Sequence, residues 1–170
     1  MQVRPPLLLT GGPAVGKSST AGLLARSRPR AAVNDVDDVR QLVVSGSAAP
    51  WEGEEGRRQQ HLGVENACCL ARRFIDHAIE VIVADVVTPE TLMLYRRSLP
   101  DAVVVHLRVS LAEARRRAGT RALHLTDEEF AALHATDRRD PPAGDNQLDV
   151  TGLTLGQQVD AVARVWSGTP

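Results

Sequence analysis

The chain has 170 residues, 43% of them hydrophobic and 3% aromatic, with a formal net charge of −1 and a pI near 6.5. That length predicts one domain over residues 1–170, with Val, Leu, Ala and Ile rather than aromatic rings filling its core. The charge balance excludes a global basic field of the kind that holds nucleic acid, and no apolar stretch approaches the ~20 residues of a membrane span.

The segment ahead of the first apolar run is too short for a signal peptide. Cys68 and Cys69 are adjacent, a spacing that suits neither a disulfide nor a zinc site. A reduced, cytoplasmic protein is expected, metal-free apart from Mg²⁺.

Residues 7–10 read as a buried strand, and residues 16–27 as the helix that follows. Between them runs Gly11-Gly12-Pro13-Ala14-Val15-Gly16-Lys17-Ser18. This fits G-x-x-x-x-G-K-[ST] without a mismatch, in the strand–loop–helix context that the phosphate-binding loop requires. The glycines let the backbone wrap and turn N–H groups inward as an anion cradle. The helix start adds its positive dipole end. Lys17 reaches the β- and γ-phosphates, and the Ser18 hydroxyl suits Mg²⁺. Ser19 continues the nucleotide-binding surface into the helix. Lys17 is the one lysine in the chain; the other 19 basic residues are arginine. A compact ammonium is kept where a planar guanidinium would not serve.

Residues 31–34 form a short apolar run, the second strand, followed by Asp35-Val36-Asp37-Asp38 and a short helix over 39–44. Residues 45–56 are rich in Gly, Ser, Ala and Pro and read as a flexible loop. Helical spacing of Leu62, Ala67, Leu70, Ala71, Phe74, Ile75 and Ala78 predicts a helix over 57–78. Residues 81–84 are a fully buried strand by composition, ended by Asp85. Thr88-Pro89 opens a helix to about residue 98. Residues 102–107 are the fourth strand. Ser110-x-x-Glu113 and Thr126-x-x-Glu129 are capping boxes for two further helices, the second reaching about residue 136. Residues 147–150 are the last strand, and Thr154-x-x-Gln157 caps a closing helix to about residue 166. Strands alternating with helices predict a parallel sheet covered on both faces, a three-layer α/β sandwich. Ligands in such folds gather at the carboxyl ends of the strands. The phosphate loop, Asp35, Asp37, Asp85 and Thr151-Gly152 all fall there.

Asp37 is the leading candidate for the base that takes a proton from a phosphoryl acceptor and orients it. Asp35 and Asp38 compete for the role, and one or two of the three acids suit a helix cap as well. Arg40 fits either an anionic or polar acceptor or a solvated helix face. Asp85 ends a buried strand, as an acid holding a magnesium-bound water does. Arg115, Arg116, Arg117 and Arg121 flank Gly119-Thr120. This predicts a lid over about residues 115–125, with Arg117 or Arg121 as its acting arginine; a solvated basic helix end is the competing reading. Trp51 either stacks on an acceptor ring or pins its loop. His77, His106, His124 and His134 lack metal spacing and read as structural or surface residues.

With loop, acid and lid in place, the chain resembles the small P-loop kinases of the AAA_33-like group, which include chloramphenicol phosphotransferase and the kinase domain of 5′-hydroxyl polynucleotide kinases. The resemblance spans nearly the whole chain. It rests on Val36-Asp37-Asp38-Val39-Arg40-Gln41 as the segment of the catalytic acid, on 81–85 with Thr88-Pro89-Glu90, on 115–121 with Leu125-Thr126 as the lid, and on 148–153 as the last strand and the loop near the adenine, where Thr151 lies. It implies a five-stranded parallel sheet of order 2-3-1-4-5. It also implies ATP·Mg²⁺ as cofactor and a hydroxyl acceptor entering beside an acceptor loop of about residues 45–61. The expected activity is phosphoryl transfer to a hydroxylated small molecule, with Lys17, Asp37, Arg117 and Arg121 carrying it. Ser18 and Asp85 are expected at the metal, and Asp35, Arg40 and Trp51 at the acceptor. Acidic Glu52, Glu54 and Glu55 beside Trp51 weigh against the alternative of a polynucleotide or nucleotide kinase. A non-catalytic nucleotide-binding module is the remaining alternative, and the protein is expected as a monomer or homodimer.

Overall fold

A computed structural model describes residues 3–119 and 125–168. The strands are β1 (Leu7–Thr10), β2 (Ala31–Asp35), β3 (Glu80–Ala84), β4 (Val103–Arg108) and β5 (Asn146–Asp149). The helices are α1 (Lys17–Arg26), α2 (Val36–Arg40), α3 (Gly53–Asp76), α4 (Pro89–Ser98), α5 (Leu111–Ala118), α6 (Asp127–Arg139) and α7 (Leu155–Trp166). The sheet is five-stranded and parallel, in the order β2-β3-β1-β4-β5, as the resemblance implies.

Side chains alternate across a strand, so each buried strand feeds two cores. Leu7 and Leu9 of β1 join Ile82, Val105 and Leu107 on one face, against Leu24 of α1, Phe130 of α6, and Val162 and Trp166 of α7. Leu8 joins Val81, Val83 and Val104 on the other, against Val64, Ala67 and Ala71 of α3 and Leu92 and Tyr95 of α4. Each such side chain contributes about 1.5–3 kcal/mol by leaving water. Because β1 is central and buried on both faces, the loop after it is held from below. Gly11 shows how closely: a Cβ there would lie 2.2 Å from the Leu107 carbonyl oxygen.

Three helix caps follow the sequence. Thr88 with Thr91, Thr126 with Glu129, and Thr154 with Gln157 form reciprocal caps. Ser110 accepts from the Glu113 N–H, but the Glu113 carboxylate is turned away, onto Arg116 and Arg117. Two arginines outbid one backbone N–H for the same carboxylate, because charge-assisted bonds are the stronger. Helix α2 also departs from expectation. It occupies Val36–Arg40, not 39–44, and its N-cap is Asp35, whose side chain accepts from the Asp37 N–H. Helix α3 begins at Gly53 and ends at Asp76 rather than spanning 57–78, and α6 continues to Arg139.

Candidate active site

The phosphate loop passes from β1 into α1 through Gly16, which caps α1 at φ 97° with no side-chain hydrogen bond to the first turn. Gly16 thus offers the start of α1 no side-chain cap of its own, the arrangement that receives an anion. Gly16 has to be glycine on two counts. Its φ is left-handed, and a Cβ would stand 2.9 Å from Gln158 Nε2. Lys17 is half-buried and folds back over the loop. Its Nζ donates to the carbonyls of Gly11 at 2.8 Å and Gly12 at 3.1 Å. Burial pushes the ammonium below its usual pKa, opposed by the carboxylates of Asp37, Asp85, Asp35 and Asp137.

Three acids stand around this loop with different partners. Asp35 closes β2, and its Oδ2 accepts from the Ser18 hydroxyl at 2.5 Å. It caps α2 through Oδ1 as well, 3.2 Å from the Asp37 N–H, so Asp35 rather than Asp38 begins the helix. Asp37 has a side chain 68% exposed, and Arg40 Nη1 donates to its Oδ1 at 3.0 Å. Asp85, at the end of β3, has a side chain with no exposure, and it sits 2.9 Å from Arg40 Nη1. Arg40 Nη2 donates to its Oδ2 at 3.2 Å, the Tyr95 hydroxyl donates to the same oxygen at 2.7 Å, and the Val86 N–H donates to Oδ1 at 2.8 Å. Asp85, expected at the metal, is thus turned onto Arg40 and Tyr95, while Asp35 is the acid joined to Ser18. Burial raises the Asp85 carboxyl above its usual pKa against the opposing pull of Arg40 and Tyr95. Burial and the Asp85 charge raise the Tyr95 phenol well above its own. Arg40 lies against α3 where Gly63 leaves room; a Cβ at 63 would stand 2.9 Å from its Cγ. Expected to meet an acceptor, Arg40 instead spans Asp37 and Asp85.

The expected lid divides. Arg121 lies outside the described residues. Arg117 is no swinging lid arginine here: its side chain is 18% exposed, and it braces the body. Its Nη1 donates to the Val15 carbonyl and to Gln158 Oε1, both at 3.1 Å, and its Nη2 to the Val150 carbonyl at 3.0 Å. Its Nε donates to Glu113 at 2.8 Å. Arg116 pairs with the same carboxylate at 2.7 Å, and Arg115 pairs with Asp127 at 2.8 Å, joining the end of α5 to the start of α6. The two arginine hydrogen bonds hold Glu113 down at about 2. A cavity of about 290 Å³ opens beside the loop between Ala14, Ser19, Arg116, Arg117 and Leu153. Thr151 lines a neighbouring cavity of about 310 Å³ with Ser110, His134 and Asp149, its hydroxyl accepting from the Ser110 N–H at 3.0 Å.

The loop after α2, expected to be flexible, is tied to α3. Ala48 N–H donates to Gln59 at 2.9 Å, Gln59 donates to the Gly46 carbonyl at 2.7 Å, and Ala49 N–H donates to Glu52. Trp51 is 55% exposed, so Gln59 and Glu52 rather than Trp51 pin the loop.

Three residues outside the sequence expectations also meet at the site. Tyr95 holds Asp85, as above. Gln158 of α7, 1% exposed, donates to the Val15 carbonyl at 3.0 Å and to the Thr20 hydroxyl at 2.9 Å. His134 of α6 places Nε2 2.8 Å from the Pro13 carbonyl oxygen, which fixes Nε2 as the protonated nitrogen. Burial lowers its pKa, against the Pro13 bond and Asp137. Of these, His134 was expected to be structural or at the surface, and nothing local in the sequence marks Gln158 or Tyr95.

No family model matches the chain, and no curated protein matches it. Solved structures do. An unliganded sugar kinase from Janibacter sp. HTCC2649 superposes with a TM-score of 0.72 at 14% identity, over 98% of this chain and 95% of the other. Shikimate kinase from Acinetobacter baumannii, in complex with shikimate, gives a TM-score of 0.71 at 18% identity over 98% and 95%. The APS kinase of Mycobacterium tuberculosis, in complex with AMPPNP and APS, gives 0.68 at 18% over 97% and 99%. The chain therefore has the fold shared by these small-molecule P-loop kinases.

Proposed function

We propose that the protein is an ATP-dependent kinase that transfers the γ-phosphoryl group to a hydroxyl of a small molecule, a metabolite or an antibiotic. The observation that carries this reading is the convergence of Lys17, the Ser18–Asp35 pair and Asp37 at the end of one phosphate loop. A nucleotide-binding module without catalysis has no use for an exposed carboxylate held by an arginine at that point.

In this reading the backbone of 11–18 and Lys17 bind the phosphates, with Ser19 alongside them and Thr151 near the adenine. The Ser18 hydroxyl and the Asp35 carboxylate suit Mg²⁺, a hard cation that takes oxygen ligands. When bound, the ion neutralises charge on the β- and γ-phosphates. Asp35 takes over the metal role that the sequence suggests for Asp85. Asp37 accepts the proton of the attacking hydroxyl as the oxygen–phosphorus bond forms and the bond to ADP breaks. Arg40, held by buried Asp85, keeps the Asp37 carboxylate in place for that transfer. Arg121 remains the candidate to neutralise the transferring group, and Trp51 the candidate to stack on the acceptor. The narrower likeness to chloramphenicol phosphotransferase and polynucleotide kinases belongs to this proposal and rests on residues 36–41, 81–90, 115–126 and 148–153 of the sequence. Cytoplasmic location and the monomeric or dimeric state belong to the same proposal; among the described residues no helix is long and apolar enough to cross a membrane.

The test is a screen of hydroxylated metabolites and antibiotics with γ-labelled ATP, with the product identified by mass. Lys17→Ala serves as the control. Loss of one phosphate donor of this kind costs roughly 10²–10³ in rate. An acceptor phosphorylated by the wild type and not by Lys17→Ala supports the reading. Equal turnover by both removes it.

A further inference from the structure

Two carbonyl oxygens of the phosphate loop are held from outside the loop, by residues that come from other helices. The Val15 carbonyl accepts from Gln158 Nε2 at 3.0 Å and from Arg117 Nη1 at 3.1 Å. The Pro13 carbonyl accepts from His134 Nε2 at 2.8 Å. In a trans peptide the carbonyl of one residue and the N–H of the next point in opposite directions in one rigid plane. No peptide bond in the described chain is cis. Fixing the Val15 oxygen toward α7 therefore fixes the Gly16 N–H away from it. Fixing the Pro13 oxygen toward α6 likewise fixes the Ala14 N–H.

We propose that Gln158 and His134 are positioning residues for the anion cradle. By pulling two carbonyls outward they aim the Gly16 and Ala14 N–H groups at the phosphates. The inference rests on the phosphate-binding reading above and extends it to residues that touch no ligand.

The chemistry of Gln158 suits the task. Its amide is an uncharged group that donates through its nitrogen and accepts through its oxygen. It donates to Val15 and to Thr20 of α1, and its Oε1 accepts from Arg117 at 3.1 Å. Arg117 is thereby aligned on the same Val15 oxygen, and Glu113 holds Arg117 from the other side at 2.8 Å. The position is tight as well as polar, since Gly16 leaves no room for a Cβ beside Gln158. His134 is constrained in the same manner. Its ring packs on Phe130 with centroids 4.9 Å apart, and a Cβ on Gly12 would come within 3.0 Å of its Cε1. Ala14 and Gly16 both hold positive φ, 58° and 97°. A left-handed alanine carries a steric cost and persists where the surroundings enforce it. Each anchored carbonyl immediately precedes one of these two residues.

The test separates aiming from mere support. Gln158→Glu keeps the shape and the partner for Arg117 and loses the donor to Val15. His134→Phe loses the donor to Pro13, and His134→Gln keeps one. Binding of Mg·AMPPNP and of inorganic pyrophosphate is measured by calorimetry on the whole protein, with thermal melting alongside and steady-state kinetics on any acceptor found. The expected result is a roughly tenfold weaker affinity for both ligands in Gln158→Glu and His134→Phe, the scale of one hydrogen bond to a charged group. Recovery in His134→Gln and an unchanged acceptor KM are also expected. Wild-type affinity in both donor-less variants overturns the proposal, even if their melting temperatures fall. Weakened affinity that His134→Gln fails to recover overturns it for His134. A wild-type protein that binds neither ligand overturns the phosphate-loop reading itself.

Discussion

The two sides of the cleft are built to opposite standards. On the phosphate side, Lys17, Arg117, Gln158 and His134 hold loop carbonyls, and Val15 and Thr20 are buried. On the proposed acceptor side, Leu42 is 75% exposed, Val44 91% and Trp51 55%. The difference teaches where the sequence has freedom. Every kinase of this fold that uses ATP must receive the same triphosphate, so that half is best fixed in advance. Under the proposed function the acceptor half meets a ligand that differs from one enzyme to the next, and loops carry such variation.

The largest effect that sharpens this comparison lies on the seam between the two halves. Asp37→Asn is expected to lower kcat by roughly 10²–10⁴, the range for loss of a general base, with the KM for ATP unchanged. Asp35→Asn is expected to act on the phosphate side instead, raising the Mg²⁺ concentration needed for half-maximal rate while costing less in kcat at saturation. Steady-state kinetics with Mg²⁺ titration reads both. A reversed order would move the base to Asp35.

The next effect concerns stability. Arg40→Ala would leave the fully buried Asp85 carboxylate with Tyr95 as its remaining side-chain partner. Breaking a buried pair from one side costs about 3–5 kcal/mol, a drop in Tm of roughly 10 °C at this size. Adding Asp85→Asn should restore part of it. An unchanged Tm in Arg40→Ala would show that the acceptor side does not depend on this pair.

The smallest effect is in acid. Glu113 is held at about 2, below its ordinary 4.5, by its bonds to Arg116 and Arg117. A lowered value means that the contribution of these bonds is present above about pH 4.5 and is lost as pH falls through about 2. The arginine Nε–H signals of residues 116 and 117 should shift over that window and stay flat in Glu113→Gln. Flat signals in the wild type would detach Glu113 from the phosphate side.

Much of the fold is legible because its signals are local. Thr88-Pro89, Thr126-x-x-Glu129 and Thr154-x-x-Gln157 mark helix starts within four residues, and the buried strands declare themselves by composition. The start of α2 is not legible because Asp35, Asp37 and Asp38 are chemically equivalent as caps; which one caps is decided by the end of β2, not by residue type. The Ser110 box closes on one side only, because Glu113 has two arginines within reach, three and four residues further along α5. The phosphate loop is legible as a motif, but its supports are not. Gln158 sits next to the capping Gln157, and nothing in the local sequence tells the buried amide from the exposed one. His134 and Tyr95 act across 121 and 10 residues of chain, distances over which single-sequence patterns are silent. Asp85 was legible as a strand-end acid, but its pairing with Arg40 depends on the bare Cα at Gly63.

Lys17 supplies the only ε-amine among 170 residues, and it is half-buried against the carbonyls of Gly11 and Gly12. Amine-directed reagents therefore meet one side chain in this protein, and it lies in the phosphate cradle. Under the proposed function, conjugation at that nitrogen, read apart from the chain's α-amine, becomes a gauge of cradle occupancy: labelled when the cradle is open to the reagent, and protected when a triphosphate covers it. Immobilisation through lysine, harmless in most proteins, would here be coupled to loss of the phosphate contact.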